Sequence, residues 1–337
     1  MHGRSVPTTL DDPGLVAAAL QDGSVRALAR AISWLEADDP RGPEVLAVVR
    51  RARSTDTRHS PRPARRVGVT GAPGSGKSTL VDRLVAAYRA EEASVAVIAV
   101  DPSSPFSGGA LLGDRIRMTR WHADRGVYVR SMASRGRLGG LAAAVVRVAA
   151  LLEAAGYRHI LIETVGVGQS EVDIASMADS TVLVLAPGAG DDVQAFKAGV
   201  MEVADIVVVA KADLPGADRL RHEVLAANGL AELGQGAWQP PVVLASASDG
   251  SGIGELRDSL DAHHTWLAAN EDASGRERRR ASAELASAVR AEADRALAGR
   301  GDAWLERLAR GEVSAERAAR ALLAGADDEG DAVPSKS

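Results

Sequence analysis

The chain has 337 residues, and its net charge of −5 at pH 7 gives no electrostatic case for nucleic-acid binding. It contains no cysteine, which excludes disulfides, thiolate metal sites and cysteine nucleophiles. No segment approaches the roughly 18 consecutive apolar residues of a membrane-spanning helix, and the N-terminus carries no hydrophobic or Arg-rich leader. We therefore expect a cytoplasmic protein with neither a nucleic-acid nor a membrane partner.

The first part of the chain is predicted to be helical. Residues 1–14 are expected to be loose, whereas apolar residues at helical spacing from Leu15 to Arg53 predict two or three helices. Breaks are expected at 38–40 and 42–43, where Asp, Gly and Pro residues interrupt the pattern. A polar, Pro-containing linker then runs from Ser54 to Pro63.

The central part alternates short β-branched runs with helical stretches. The predicted strands are 67–70, 95–100, 126–129, 159–163, 181–186, 206–210 and 242–245. The main predicted helices between them are 79–89, 138–155, 192–203 and 220–227. This alternation predicts a three-layer α/β fold with a mostly parallel sheet and helices on both faces. Ligands of such folds lie beyond the carboxyl ends of the strands.

The last part is predicted to be helical again. Helices are expected at 256–266, 283–297 and 303–308, with a charged break at 271–280. A short helix follows, with Ser314 as its N-cap. The predicted domains are an N-terminal helical extension and linker over 1–63, a nucleotide-binding core over 64–268, a C-terminal helical arm over 269–325 and a disordered tail over 326–337.

A glycine-rich loop between the first predicted strand and the next helix has the spacing of a phosphate-binding P-loop, G-x-x-x-x-G-K-[ST]. In such a loop the backbone amides and the helix N-terminus bind phosphate oxygens. Lys77 is predicted to contact the β- and γ-phosphates, and the Ser78 hydroxyl to bind Mg²⁺. The predicted phosphate-binding residues are Gly71, Ala72, Pro73, Gly74, Ser75, Gly76, Lys77, Ser78 and Thr79.

Two carboxylates follow predicted strands that should end beside this loop. Asp101 follows the second strand and is a candidate for binding Mg²⁺ or orienting the attacking water. Glu163 ends an apolar strand, with Gly166 three residues on, which is the Walker B and switch II arrangement with Glu in place of Asp. Gln169 is a candidate for positioning water and equally a candidate surface amide. The predicted metal ligands are Ser78, Asp101 and Glu163, and Lys77 and Gln169 join these two carboxylates as catalytic candidates.

A second motif predicts that the base is guanine. Lys211-Ala212-Asp213 follows a strand, as the Asn-Lys-x-Asp motif of GTP-binding proteins does, although Ala210 replaces the Asn. The Asp accepts hydrogen bonds from the guanine N1–H and amine, a donor pair that adenine lacks, and the Lys stem covers the ring. The loop Ser246, Ala247 and Ser248 after the last strand matches the short loop whose backbone amide meets the guanine oxygen.

Lysine is rare in this chain, since only four of its 40 basic residues are Lys. Lys77 and Lys211 lie in the two motifs, and Lys336 lies in the tail. Arg and Lys are not equivalent at phosphate or base-stacking positions. Lys197 therefore becomes a candidate functional residue, with a solvated helix position as its alternative.

Together these residues resemble the MeaB/ArgK family of P-loop GTPases, from about Leu15 to Leu323. Besides the motifs above, the likeness rests on segments 101–105, 108–118, 135–140, 163–171 and 187–197. Departures from the family pattern are Ala210 for Asn, Arg115 for Lys and Asp192-Val193 for Glu-Leu.

The resemblance implies a P-loop NTPase fold and a GTP-hydrolysing chaperone of an adenosylcobalamin-dependent acyl-CoA mutase, chiefly methylmalonyl-CoA mutase. It implies Mg²⁺ with GTP or GDP and no tightly held organic cofactor. It also implies a homodimer formed through the C-terminal arm, with the cobalamin adenosyltransferase as a further candidate partner. The family's additional switch corresponds to 188–197, which would account for Lys197.

Three alternatives stay open at this point. One is a kinase or ATPase acting on a small molecule or a transport component, which Asp213 opposes. Another is a metallochaperone GTPase, which would need a His/Cys-rich tract; the chain offers one adjacent pair, His263-His264, expected on the surface. The third is a scaffold whose GTPase activity is vestigial, which Ala210 makes hardest to exclude.

Overall fold

The β-branched runs of the central sequence form one sheet of seven strands in the order β3-β2-β4-β1-β5-β6-β7. The computed structural model describes residues 11–55, 64–101, 119–133, 140–164, 174, 177–188, 200–229, 236–270 and 273–325. The strands are β1 Arg65–Thr70, β2 Val95–Asp101, β3 Val127–Ala133, β4 His159–Thr164, β5 Ser180–Leu185, β6 Ile206–Ala210 and β7 Val242–Ala245. Every adjacent pair is parallel, so the sheet predicted from the alternating pattern is confirmed.

The helices lie on both faces of this sheet. They are α1 Pro13–Gln21, α2 Val25–Glu36, α3 Arg41–Thr55, α4 Lys77–Ala90, α5 Gly140–Ala154, α6 Ala217–Gly229, α7 Ile253–Asn270, α8 Ala273–Ala309 and α9 Ala315–Leu323. One face of the sheet packs against α4 and α7. The other face packs against α5 at one end and α6 at the other. A parallel sheet buried on both faces explains why its strands read as continuous apolar runs.

The N-terminal helices α1–α3 share a hydrophobic core with α5 and with β2 and β4. The break predicted at 42–43 is wrong, because Gly42 and Pro43 lie in the first turn of α3. Proline is tolerated there, since the first turn of a helix has no intrahelical partner for its N–H. The break at 38–40 is confirmed as the turn between α2 and α3.

The long helix α8 corrects the prediction for the C-terminal arm. Residues 273–309 form one continuous helix, so the predicted break is wrong over 273–280, as are the two separate helices after it. Residues 271 and 272 lie outside the described part of the chain. Helix α8 packs along α5 and carries α9 at its end. The predicted N-cap of α9 is confirmed, because the Ser314 hydroxyl accepts a hydrogen bond from the Arg317 amide. No helix in the described ranges is long and apolar enough to cross a membrane.

The adjacent histidines of α7, His263 and His264, are buried. The prediction that this pair lies on the surface is therefore wrong. His263 is 2% exposed, and its Nδ1 lies 2.8 Å from the Ser180 hydroxyl oxygen. Its ring stacks on Trp266. Burial lowers the pKa of His263 to about 4, so the imidazole is neutral at pH 7. This histidine packs between α7 and the amino-terminal end of β5.

Candidate nucleotide-binding site

The predicted phosphate-binding loop lies between the end of β1 and the start of α4. Gly71 has a φ of +140°, and a Cβ built on it would lie 2.1 Å from the Val184 carbonyl oxygen of β5. Only glycine fits this close approach. The loop tip at Pro73 and Gly74 is exposed, and Ser75 beneath it is buried. The loop therefore turns at the carboxyl edge of the sheet, where ligands of parallel sheets bind.

The N-terminus of α4 follows the loop directly. Gly76, at the N-cap, has a φ of +104° and no side chain to accept a hydrogen bond from the first helical amides. Lys77, Ser78 and Thr79 form the first turn, with the Thr79 side chain exposed. Amides without a side-chain cap and the partial positive charge of the helix end favour an anion here.

Lys77 lies within the loop. Its ammonium donates hydrogen bonds to the carbonyl oxygens of Gly71 at 2.6 Å and Ala72 at 2.8 Å. The residue is 5% exposed. A buried ammonium is costly unless its donors are satisfied, so these carbonyls fix the cation at the centre of the loop. That position suits a cation that neutralises phosphate charge.

Two of the three predicted metal ligands meet. The Ser78 hydroxyl donates to Glu163 Oε1 at 2.5 Å, and Glu163 is 2% exposed. The carboxylate reaches this place because β1 and β4 pair with Val69 opposite Glu163. A hydroxyl and a carboxylate are hard oxygen ligands of the kind Mg²⁺ prefers, and Mg²⁺ commonly takes its remaining ligands from water and phosphate. The described residues contain no cluster of three His, Cys, Asp or Glu side chains that would compete as a metal site.

The remaining candidates of the predicted catalytic set have no described side chain. Asp101 is the last residue of β2, and β2 pairs with β4 up to Val100 opposite Thr164, so its backbone lies at the same sheet edge. Its side chain lies outside the described part. Gln169 and Lys197 also lie outside the described residues, together with most of the loops that carry the resemblance.

The predicted base-recognition residues come together at the ends of β6 and β7. The Ser246 hydroxyl donates to Asp213 Oδ1 at 2.7 Å, and the Ser248 hydroxyl lies 2.7 Å from the Ser246 hydroxyl. Asp213 is exposed and Ser246 is buried, so a fixed hydroxyl orients an accessible carboxylate. Lys211 has a φ of +54°, a left-handed conformation that turns the chain sharply after β6.

Ala210, which departs from the family pattern, lies between the two halves of the site. It is 5% exposed, and a Cβ built on Gly76 would lie 3.8 Å from the Ala210 Cβ. The base motif therefore adjoins the last glycine of the phosphate loop. A methyl group at this place makes no hydrogen bond to either half.

One further residue belongs to this site. Arg83 lies on α4, where its Nε donates to the Ala247 carbonyl oxygen at 2.7 Å and its Nη2 to that of Ser248 at 3.0 Å. No motif marks this arginine, and its position on the helix that begins in the phosphate loop was the available signal. It links the phosphate-binding helix to the base-recognition loop.

The family model described as "Methylmalonyl Co-A mutase-associated GTPase MeaB" matches residues 28–300. The chain belongs to the MeaB family. The match includes the phosphate loop, Glu163 and both parts of the base site, so each of these features lies within the range that the family model covers.

Individual relatives agree with this assignment. A Pyrococcus abyssi protein named as a candidate GTPase is 46% identical over 275 residues, covering 80% of this chain and 82% of that protein. The "Methylmalonic aciduria type A homolog, mitochondrial" of Mus musculus is 38% identical over 268 residues, covering 77% of this chain and 65% of that protein. The solved structure of an "LAO/AO transport system kinase" has a TM-score of 0.65 at 26% identity and covers 94% of this chain and 98% of that one. The fold predicted as that of a P-loop NTPase is thereby confirmed.

Proposed function

We propose that this protein is a GTP-binding and GTP-hydrolysing chaperone of an adenosylcobalamin-dependent acyl-CoA mutase, chiefly methylmalonyl-CoA mutase. The proposal that the protein binds GTP rests on the hydrogen bond between Ser246 and Asp213, which lies beside the phosphate loop at one edge of the sheet. The partner part rests on membership of the MeaB family, whose description names that mutase.

Guanine selection follows from the chemistry of the base site. A carboxylate has about four lone-pair positions, so Asp213 can accept from Ser246 and still accept from the guanine N1–H and amine. Adenine presents no such donor pair to it. The Lys211 stem is suited to cover the ring, and the backbone of the 246–248 loop to meet the guanine oxygen. GTP is therefore the expected nucleotide.

Hydrolysis is the attack of water on the γ-phosphorus, with release of GDP as the bond to the bridging oxygen breaks. Lys77 and the loop amides neutralise phosphate charge. Ser78 and Glu163, with Asp101 as the predicted third group, would hold Mg²⁺, which supplies further charge neutralisation at the phosphates. Gln169 is the candidate for positioning the water. No sequence motif marks an arginine finger, so we expect slow turnover until a partner orders the site.

The C-terminal arm supports a homodimer. One side of α8 is tied to the N-terminal part of the chain through ion pairs of Glu284 with Arg50 of α3 and of Arg295 with Asp38 of the turn between α2 and α3. Large apolar side chains elsewhere on α8 are 49–66% exposed, namely Leu285, Val289, Leu297 and Leu305. Leu285 and Val289 are four residues apart and so lie on one face of the helix, and a contiguous exposed apolar patch is typical of a protein-protein contact. A second copy, joined arm to arm, is the partner we propose for this surface.

The base assignment is tested with the variant Asp213→Asn. An amide cannot accept both guanine donors but can donate to the carbonyl that xanthine carries at the amine position. We expect GTP affinity to fall about 100-fold, as for the loss of one charge-assisted hydrogen bond, because the amide can accept from only one of the two guanine donors. Xanthosine triphosphate affinity should rise. Asp218→Asn, an exposed carboxylate on the next helix, is the control. Unchanged GTP affinity in Asp213→Asn would contradict the assignment.

A kinase remains the second candidate, because the similar solved structure is named a transport system kinase. That name describes the other protein, and Asp213 favours GTP over the ATP that a typical kinase uses. Competition between GTP and ATP at equal concentration separates the two functions. Preference for ATP would favour the kinase.

A further inference from the structure

We propose that Arg83 is a positioning residue for guanine recognition, which holds the 246–248 loop onto the phosphate-binding helix and compensates for the alanine at position 210. This inference rests on the proposed GTP binding. We place Arg83 in contact with neither phosphate nor base; it acts through the backbone of the loop.

The geometry around Arg83 is that of a clamp. The half-buried guanidinium donates from Nε to the Ala247 carbonyl oxygen and from Nη2 to that of Ser248, at 2.7 and 3.0 Å. A planar guanidinium with several fixed N–H groups can bind two neighbouring carbonyls at once, whereas an ammonium acts as a point donor. Bonds from a charged donor are stronger than those between neutral groups.

Hydrogen bonds within the loop connect the residues that Arg83 holds to Asp213, the carboxylate proposed to select the base. The Ser248 hydroxyl lies 2.7 Å from that of Ser246, which in turn donates to Asp213 at 2.7 Å. On its other side the loop is closed by its own backbone, since the Ser246 amide donates to the Ser251 carbonyl oxygen. A shift of the loop away from α4 would therefore also move the hydroxyl that orients Asp213.

The need for such a clamp arises at Ala210. This residue lies against Gly76 of the phosphate loop, where an asparagine would bring an amide able to bond both loops. The alanine methyl makes no such bond. Arg83 connects the same two parts of the site from α4, the helix that follows the phosphate loop. The chain thus replaces one polar connection with another from a different element.

The test compares the equilibrium affinities for GTP and ATP of the wild type, Arg83→Met, Arg83→Lys and the double variant Arg83→Met with Ala210→Asn. Arg83→Met should lower GTP affinity about tenfold, the loss of roughly one charge-assisted hydrogen bond, and leave the weaker ATP affinity unchanged. Arg83→Lys should lie between it and the wild type. Ala210→Asn should restore part of the GTP preference. Arg219→Met, an exposed arginine paired with Glu223 on α6, is the control.

The outcomes separate this inference from the proposed function. If the wild type prefers GTP and the GTP-to-ATP affinity ratio of Arg83→Met is unchanged, the inference is wrong and the proposed function stands. An equal loss of both nucleotides would show that Arg83 supports α4 in general, which also contradicts it. A wild type without preference for GTP would overturn the proposed function and the inference together. If Arg83→Met does not fold, the GTP-to-ATP affinity ratio of Arg83→Lys is judged by the same criteria.

Discussion

Replacing Arg280 with methionine is expected to destabilise the protein by about 3–5 kcal/mol, the cost of removing one partner from a buried ion pair. Arg280, on α8, donates to Glu153 of α5, to Asp179 before β5 and to the Ala64 carbonyl oxygen, at 2.6–3.1 Å. Arg66 of β1 donates to Glu153 at 2.6 Å. Two arginines and two carboxylates thus balance in a largely buried cluster, and the variant leaves one negative charge uncompensated.

The same cluster predicts how the destabilisation depends on pH. Burial by itself raises the pKa of Asp179 and Glu153, but the arginines outweigh it and hold both pKa values below the ordinary range. Carboxyl groups with a lowered folded-state pKa contribute stability above their unfolded pKa of about 4, and this contribution is lost as the pH falls through the folded-state values. The difference in free energy of unfolding between wild type and Arg280→Met should therefore be largest at pH 7 and shrink below about pH 4.

The assay is urea unfolding followed by tryptophan fluorescence at pH 7 and at a series of lower pH values. Arg278→Met, a neighbouring exposed arginine on the same helix, is the control and should change the free energy of unfolding by less than about 0.5 kcal/mol. If Arg280→Met is as stable as this control at pH 7, the cluster does not anchor α8 and the reasoning is wrong.

Two further predictions concern the phosphate loop and the arm. Gly71→Ala places a Cβ 2.1 Å from the Val184 carbonyl oxygen and should abolish GTP binding measured by titration. A Cβ at Gly74 would meet no atom within 4 Å, so Gly74→Ala should cost only about 1–2 kcal/mol of left-handed backbone strain and still bind GTP. Equal binding by both would refute the argument from close approach. Leu285→Glu with Val289→Glu should shift the sedimentation mass from dimer to monomer while GTP binding persists; a dimer in this double variant would rule out the arm as the interface.

Local patterns in the sequence were sufficient to predict the sheet. Strands β6 and β7 were predicted at their observed bounds, because buried parallel strands are continuous apolar runs. The edge strand β3 was predicted too short, since Arg130 and Ser131 interrupt its apolar pattern. Arg130 is accommodated there by an ion pair with Glu36 of α2, a contact between distant parts of the chain.

Long-range contacts also explain the errors in the arm and the site. The charged stretch before Arg280 resembles a break in the sequence, yet Arg280 bonds Glu153 of α5, Asp179 just before β5 and Ala64 just before β1. Motif spacing predicts that Ser78 and Glu163 meet, because one motif places Ser78 in the first turn of the helix after β1 and the other places Glu163 near the end of a strand. Arg83 belongs to no motif, and only the approach of α4 to the 246–248 loop gives it a role.

The most direct test of the proposed function is the rate of GTP hydrolysis by the purified protein, measured alone and with methylmalonyl-CoA mutase. Lys77→Ala, which removes the cation at the centre of the phosphate loop, serves as the inactive control. We expect slow hydrolysis alone and a clear increase on adding the mutase. A full rate without the mutase, unchanged when the mutase is added, would contradict it.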